Sequence, residues 1–534
     1  MTKDNLISHD SMQGLREAAA SIKPVIIVQG GTLSLNTDAA EEALRAAQVP
    51  IYRRGKELVR PTLRVFMDAR GEDVETPMLE PVGVVWLRDQ LCQIADWQKW
   101  SPREKKNVPI TPPLDIPATI LARLGEGFPT ISGVTSTPTL RRDGTIASAP
   151  GFDEQTGKFI FKPLQIAQPD KPTRRDALQA IDLLSELLEE FPFDDADGCP
   201  SGASESVALS AILTPIARSA FDFAPMHVAR APARGSGKSY LFDIASAIAC
   251  GTPCPIIQAA DNAAETEKRV GARAIMAPPI ISIDNVNGLL AGDLICQMIT
   301  QSVTGVRVLG ESRIVDVTNS YVMFATGNNI RIAGDLTRRC LICSLDPQVE
   351  RPEERSFAGN PLEQALRQRS RYVSAALTIL RAHSLAGYAG QEGLPPLAGF
   401  GEWTRVVRGA LVWLDYADPC ATIQIARDDD PQRLERGDML RALAATFGTG
   451  PGAGVTVIRM IEESRAQDGL YDLAEKQDGR RRLRDALVPF ERHGVVNSRS
   501  IGRWLGAFRG EVIDGKRLNA RTEHNQKVWY VESL

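Results

Sequence analysis

The sequence predicts an α/β protein, a parallel sheet bearing a glycine-rich turn, with a mixed α/β segment before it and helical, basic segments after it. Three observations carry this. The turn, Arg234-Gly235-Ser236-Gly237-Lys238-Ser239, separates a strand-like run at 226–229 from a run of helical spacing with Leu241, Ile244 and Ala245 on one face. An apolar run at 279–284 ends in Asp284, roughly 45 residues beyond the turn. Further short apolar runs, at 255–258, 321–325 and 340–344, alternate with helix-periodic stretches, as parallel strands with crossovers do.

Length and composition set the outer limits. A chain of 534 residues has room for about two to four domains. Its 43% hydrophobic and 24% charged content is that of an ordinary soluble globular protein. The net charge of −4 excludes a uniformly basic coat, so any DNA contact must come from local patches. No apolar run approaches a membrane span, and residues 1–10 lack the apolar stretch of a signal peptide. The expectation is a cytoplasmic protein whose eight cysteines stay reduced. Cys340 and Cys343 have metal-pair spacing, but no second Cys or His pair follows, and in a strand residues three apart face opposite ways.

Residues 1–172 read as a mixed α/β domain without a catalytic constellation. A strand is expected at 24–28, a helix at 39–47 capped from 36–38, and a hairpin at 51–59 around Gly55. The prolines of 108–117 argue for an extended or loop segment. Arg53, Arg54, Arg60 and Arg64 suit either a phosphate backbone or a solvated strand face, and the solvated face is the simpler use. Residues 173–190 form an amphipathic helix with Leu178, Ile181, Leu184 and Leu188 on one stripe. Asp194, Asp195 and Asp197 then suit a metal or a flexible linker, and Gly198, Pro200, Ser201 and Gly202 favour the linker. An apolar helix at 207–221 leads into the strand before the turn.

The segment 173–350 carries the chemistry. In a strand–turn–helix of this kind the turn's N–H groups point inward and the helix dipole favours an anion. Lys238 reaches toward β/γ-phosphates and Ser239 can hold Mg2+. Pro232 stands where the P-loop pattern asks for glycine. Asp284, at a strand's carboxyl end, would complete the Mg2+ shell through water. Asn285 occupies the next position, where such ATPases place an acid; an amide orients water but accepts no proton. Glu265, ahead of Glu267, is the substitute base, unless both face solvent beside Lys268 and Arg269. A helix at 288–304, a hairpin at 305–317 and a strand at 321–325 follow. Asn328, at that strand's tip, can hydrogen-bond a γ-phosphate or the attacking water. Arg338 and Arg339 precede a fifth strand, and arginine stabilises phosphoryl-transfer charge, often across a subunit boundary.

The segments GSGKS (235–239), ISIDNVNG (281–288), RVLGESR (307–313), FATGNN (324–329) and GDLTRR (334–339) together resemble the AAA+ class. Within it, they resemble the superfamily 3-like helicase ATPases of phages, plasmids and prophages, the prophage primase–helicase type above all. The resemblance spans about 205–420. It implies ATP held by 234–239 and Mg2+ held by Ser239 and Asp284. It also implies Lys238 and Ser239 as Walker A, Asp284 as Walker B, Asn328 as sensor amide, and Arg338 or Arg339 as arginine finger. A hexameric ring is implied as well, its 305–317 hairpins lining a pore with Arg307 and Arg313 against single-stranded DNA. Pro232 and Asn285 depart from the pattern and bear on hydrolysis more than on binding. No primase metal cluster is visible in the N-terminal segment.

Residues 351–430 read as an α-helical lid, whose Arg405 or Arg408 suits either reaching nucleotide or a surface role. Residues 431–534 change character: from Arg480 onward twelve Lys/Arg stand against six acids, +6 where the whole chain is −4. Helix, helix and a wing around 523–525 predict a winged helix whose second helix brings Arg499 and Arg503 to a DNA backbone; docking on protein is the other use of such a module. The expected activity is an ATP-dependent, ring-forming DNA helicase or translocase for replication of a mobile element. The alternative is an ATP-switched initiator or helicase loader that hydrolyses little, as Asn285 would permit. A metabolic kinase fits less well, because no substrate domain with its own acid/base pair is visible.

Overall fold

The computed structural model describes residues 23–534 apart from 68–72, 196–198, 261, 309, 311–312, 467–473 and 493–494. Strands β1 (Val25–Val28), β2 (Tyr52–Arg54), β3 (Glu57–Met67), β4 (Asp73–Pro81), β5 (Asp96–Ser101) and β6 (Lys106–Pro109) make two three-stranded sheets, β1-β5-β6 and β2-β3-β4. Helices Leu33–Ala46, Val84–Ile94 and Asp115–Ala122 pack on the first, burying Ile26, Leu44, Leu87, Trp97 and Ile120 between them. Two expectations shift here. Asn36 and Thr37 lie inside the first helix, whose N-cap is Thr32. Pro117 sits in the first turn of Asp115–Ala122, where its missing N–H costs no helical bond.

Five short strands follow: β7 (Gly133–Thr135), β8 (Thr139–Leu140), β9 (Ile146–Ala147), β10 (Gly151–Asp153) and β11 (Lys158–Ile160). The helix Arg174–Glu186 starts with a reciprocal cap between Thr173 and Asp176 and buries Ala177, Ile181 and Leu184. The stretch expected as a flexible linker is partly built into the fold. β12 (Phe193–Asp194) pairs antiparallel at the edge of the main sheet. Asp195 accepts from the N–H groups of Gly202 (2.6 Å) and Ser204 (2.9 Å), closing the start of the next helix. Asp197 lies outside the described residues.

The main sheet comprises β12, β13 (Met226–Ala231), β14 (Ile256–Gln258), β15 (Ile280–Leu290), β18 (Val322–Ile332) and β19 (Cys340–Leu345), with β16 (Val303–Arg307) and β17 (Ile314–Thr318) set apart as a hairpin. Its order is β12-β19-β13-β18-β15-β14, parallel except at β12. β13 is covered on both faces, so its sequence MHVARA shows no alternation. The helix Ala203–Ala217 is apolar all round because it too is enclosed. One buried cluster runs from Leu140 through the sheet to Ala426, and the helices Arg369–Leu385 and Ile423–Asp428 contribute to it. The expected helix at 288–304 is shorter, Asp293–Thr300, because β15 takes residues to Leu290 and β16 begins at Val303.

A second core, with Met439, Leu443, Leu483, Ile501, Leu505 and Trp529, holds the C-terminal part. Its helices are Pro431–Phe447, Val457–Arg465, Ala474–Leu487 and Ser498–Ala507, and its strands β20 (Glu491–Arg492), β21 (Val495–Val496), β22 (Val512–Ile513), β23 (Lys516–Glu523) and β24 (Gln526–Ser533). β23 and β24 form a hairpin whose turn residues His524 and Asn525 have φ of 46° and 62°, the left-handed pair a tight two-residue turn needs. No helix among the described residues is long and apolar enough to cross a membrane.

His227, in β13, is fully enclosed, shares a 2.9 Å hydrogen bond with Ser210 Oγ, and lies edge-on to Phe324 and Trp403. Burial pushes its pKa down to about 3, against an ordinary 6.5. Above pH 6.5 the ring is neutral folded or unfolded; below it only the unfolded chain takes the proton. Stability therefore falls from about pH 6.5 downward, by up to about 1.4 kcal/mol per pH unit from this group. In urea melts at pH 7 and pH 5, His227→Gln is expected to lose less stability across the interval than wild type.

Candidate nucleotide site and nucleic-acid contacts

Residues 232–237 leave β13 and enter the helix Lys238–Cys250. Gly235 and Gly237 hold φ of 75° and 90°, which disfavours any side chain; a Cβ would lie 3.1 Å from the Glu353 nitrogen at the first and 3.3 Å from the Phe191 ring at the second. Pro232 is not among the residues with positive φ, so the ring fits where the usual pattern has glycine. Lys238 Nζ donates to the Ala233 carbonyl at 2.8 Å, across its own turn. Partial burial pushes that ammonium below the ordinary lysine value while Asp284 pulls it back up.

Asp284 Oδ1 accepts from two hydroxyls, Ser239 at 2.7 Å and Thr326 at 2.6 Å. Thr326 Oγ1 in turn accepts from the Asn285 N–H at 3.2 Å. Register places Asn328 opposite Ala231, the last residue of β13, so the amide stands level with the start of the turn. Its side-chain oxygen is buried with no hydrogen-bond partner among the described residues. These groups fit a triphosphate with Mg2+: a glycine turn with N–H groups at a helix start, an ammonium, a hydroxyl–carboxylate pair of hard oxygen ligands, and a vacant acceptor for a water.

Asn285 has φ 56° and lies in the bulge where the β15–β18 register shifts between Ile283 and Val286. Asn is among the few side chains that tolerate this conformation. Glu265 lies in the first turn of the helix Ala263–Ile275, after β14, whose Gln258 is in register with Asp284. Its carboxylate pairs with Lys268 (3.3 Å) and Arg269 (3.9 Å). Glu267 accepts from the Leu294 N–H at 2.7 Å and so serves the helix Asp293–Thr300.

A cavity of about 540 Å3 opens beside the turn, lined also by Phe191, Tyr240, Arg355 and Phe357. Phe191 stacks with Tyr240 at 6.3 Å between centroids, and the Arg355 guanidinium lies 5.1 Å from the Phe357 ring. Sequence reasoning missed this aromatic wall, because its members come from distant loops and match no motif. Arg355 holds the place expected for Arg405 or Arg408. Arg408 is 1% exposed and grips Asp418 with both arms (2.7 and 2.5 Å), while Arg405 lies over Tyr388 at 4.5 Å.

The remaining candidates lie elsewhere. The Arg339 carbonyl accepts from the Met226 N–H at 2.9 Å, which puts Arg338 and Arg339 at the start of β13, the opposite sheet end from the turn. Both pair with Asp335, whose pKa their guanidinium groups hold below the ordinary carboxylate value. Arg339 also donates to the Cys296 carbonyl (2.7 Å) and the Thr300 hydroxyl, whereas Arg338 is half exposed. On the β16–β17 hairpin Arg307 is exposed, and Arg313 pairs with Glu57 at 3.1 Å. Arg499 and Arg503 are exposed one turn apart on Ser498–Ala507. Cys340 and Cys343 are buried in β19, and burial raises both thiols well above the ordinary value.

Gly327 is where β18 passes the β15 bulge; a Cβ there would lie 2.2 Å from the Val286 carbonyl oxygen. Gly327→Ala is expected to cost about 1–3 kcal/mol of stability in urea melts and to weaken nucleotide binding by displacing Asn328.

No protein-family model and no curated protein matches the chain. Two solved structures, both titled as A-form apo structures of the NrS-1 C-terminal region, align with it over 88% of this chain and 96% of theirs, at 10% identity and TM-scores of 0.38 and 0.39.

Proposed function

We propose that this protein is an AAA+ ATPase of the superfamily 3-like helicase type, a ring-forming motor on DNA serving replication of a mobile element in the cytoplasm. The observation that carries the reading is Asp284, joined by hydrogen bonds to Ser239 of the turn and Thr326 of the amide-bearing strand. The order β19-β13-β18-β15-β14 supports it, with the turn's strand in the middle and the acid and amide strands on one side. Ser239 and Asp284 would hold a Mg2+ ion, which would supply charge neutralisation at the transferring phosphoryl group. Lys238 exchanges the Ala233 carbonyl for phosphate oxygens, and residues 234–237 wrap the phosphates. The vacant Asn328 acceptor orients the attacking water. Glu265 takes the proton in this reading, and to do so it releases Lys268 and Arg269.

The arginine finger works between protomers, because the six residues of β13, at about 3.3 Å each, separate it from its own turn. Arg338 suits the role better than Arg339, whose guanidinium is committed to Cys296 and Thr300. In a hexamer the β16–β17 hairpins face the pore, presenting Arg307 and Arg313 to single-stranded DNA. Arg499 and Arg503 meet duplex backbone from a winged helix. Asn285 favours one second reading, a loader or initiator that switches with ATP but turns it over slowly.

Lys238→Ala is expected to abolish ATP binding, turnover and forked-duplex unwinding together. Arg338→Ala is expected to bind ATP normally while turnover falls at least about a hundredfold. Mixing the two variants should restore part of the turnover, because each supplies what the other lacks. Undiminished turnover by a strictly monomeric protein would end the motor reading; ATP-dependent assembly on DNA with negligible turnover would select the loader. Phe191→Ala should weaken ATP binding by about five- to tenfold while leaving tripolyphosphate binding unchanged.

A further inference from the structure

Among the described residues, the sheet β1-β5-β6 is covered on one face only. Register puts Ile27 beside Gln98 and Gln98 beside Pro109, then Trp100 beside Asn107, all on the face opposite Ile26 and Trp97, which the helices bury. On that outer face Trp100 is 54% exposed, Val25 52% and Ile27 41%. Among the described residues the Trp100 ring meets no other ring or cation, in contrast to Trp97, whose indole N–H donates to the Leu91 carbonyl at 2.9 Å. Arg103 and Lys105, both exposed, lie in the turn from β5 to β6 beside Trp100, while the exposed Lys99 and Lys106 alternate onto the Trp97 side at the same end of the sheet. Glu104, paired with Lys106 at 3.3 Å, is the acid within that turn.

We propose that this face is a second single-stranded DNA contact, with Trp100 stacking on a base and the turn's cations following the phosphates. An aromatic ring held open on a rigid sheet beside a run of cations is the combination that binds single strands without regard to sequence. Gln98 and Asn107, interleaved with the apolar side chains, supply amides for base edges, which a lipid-facing surface would lack. The chain is acidic overall, so a local excess of cations around one exposed indole marks a surface for a polyanion. The contact is independent of the nucleotide turn and of the motor reading.

The test uses the full chain and a thymidine oligonucleotide of about 20 residues carrying 5-iodouracil. Ultraviolet crosslinking and peptide mapping are expected to find the segment 96–109, equally in wild type and in Lys238→Ala. In an Arg499→Glu/Arg503→Glu background, so that C-terminal contacts do not mask the effect, Trp100→Ala should weaken binding about tenfold. Arg103→Glu/Lys105→Glu should do likewise and flatten the salt dependence, while Trp100→Phe stays within about twofold because it still stacks. Crosslinks confined to other segments, or affinity unchanged in both Trp100→Ala and the double charge reversal, would overturn the proposal. Loss of crosslinking in Lys238→Ala would also overturn it, since the contact would then depend on the nucleotide site.

Discussion

The Asp284 carboxylate accepts a hydroxyl hydrogen bond from the helix that follows the glycine turn and another from β18. Hydrogen bonds to a charged acceptor are each worth about 1.5–3 kcal/mol, enough to hold three elements in mutual register before any ligand arrives. Every other feature of the candidate site is positioned from that junction. The turn is aimed by the helix whose first residues carry Lys238 and Ser239, and Asn328 is aimed by the strand that carries Thr326. Lys238, folded back on the Ala233 carbonyl, completes an arrangement in which nearly every polar group already has a partner. Asn328 Oδ1 is the exception among the site's buried atoms.

Holding the sheet in place costs buried charge, and the chain offsets it with carbonyls. Arg218 is buried, with its pKa pushed down to about 10, and donates to the carbonyls of Tyr321 (2.9 Å), Phe221 (2.7 Å), Asp222 (2.9 Å) and Asn319. It thereby staples the end of the inner helix to the start of β18. Arg369 does the same at the far end of the turn's helix, donating to Ile248 (3.0 Å) and Ala249 (3.1 Å) and reaching the Thr137 hydroxyl of the N-terminal part. At the C-terminal junction Arg230 of β13 pairs with Asp429 at 2.5 Å, and the Gly334 N–H donates to Asp430 at 3.3 Å. Removing a buried cation that satisfies several carbonyls would strand those acceptors, which makes each junction sensitive to its loss.

The two departures from the usual nucleotide-turn pattern have different physical standing. Pro232 is neutral, because that position needs no left-handed backbone. Asn285 sits, with a left-handed backbone, in the bulge that brings β15 against β18, the same bulge that requires Gly327, and an amide there orients water without accepting its proton.

Much of the chain's local structure was legible without coordinates: the turn, the strand carrying Asp284, the hairpin at 305–317, the Thr173 helix and the β23–β24 hairpin follow from periodicity and turn residues within a few positions of one another. The strands β15 and β18, however, run on to Leu290 and Ile332, past the expected ends at Asp284 and 325, so that Asp284 and Asn328 lie within strands. Tertiary structure alone decided which distant residues meet. Phe191, Tyr240, Arg355 and Phe357 line one cavity, Arg408 is spent on Asp418, Glu267 caps a helix, and Asp194 and Asp195 belong to a strand and a helix start. The reason is that backbone preference acts over one or two turns of chain, whereas these partners are selected by which surfaces the sheet brings together on folding. The outward Trp100 is the same lesson in miniature. Alternation in DWQKWS marks two tryptophans on opposite faces, and only the packed helices determine that Trp97 is core and Trp100 is surface.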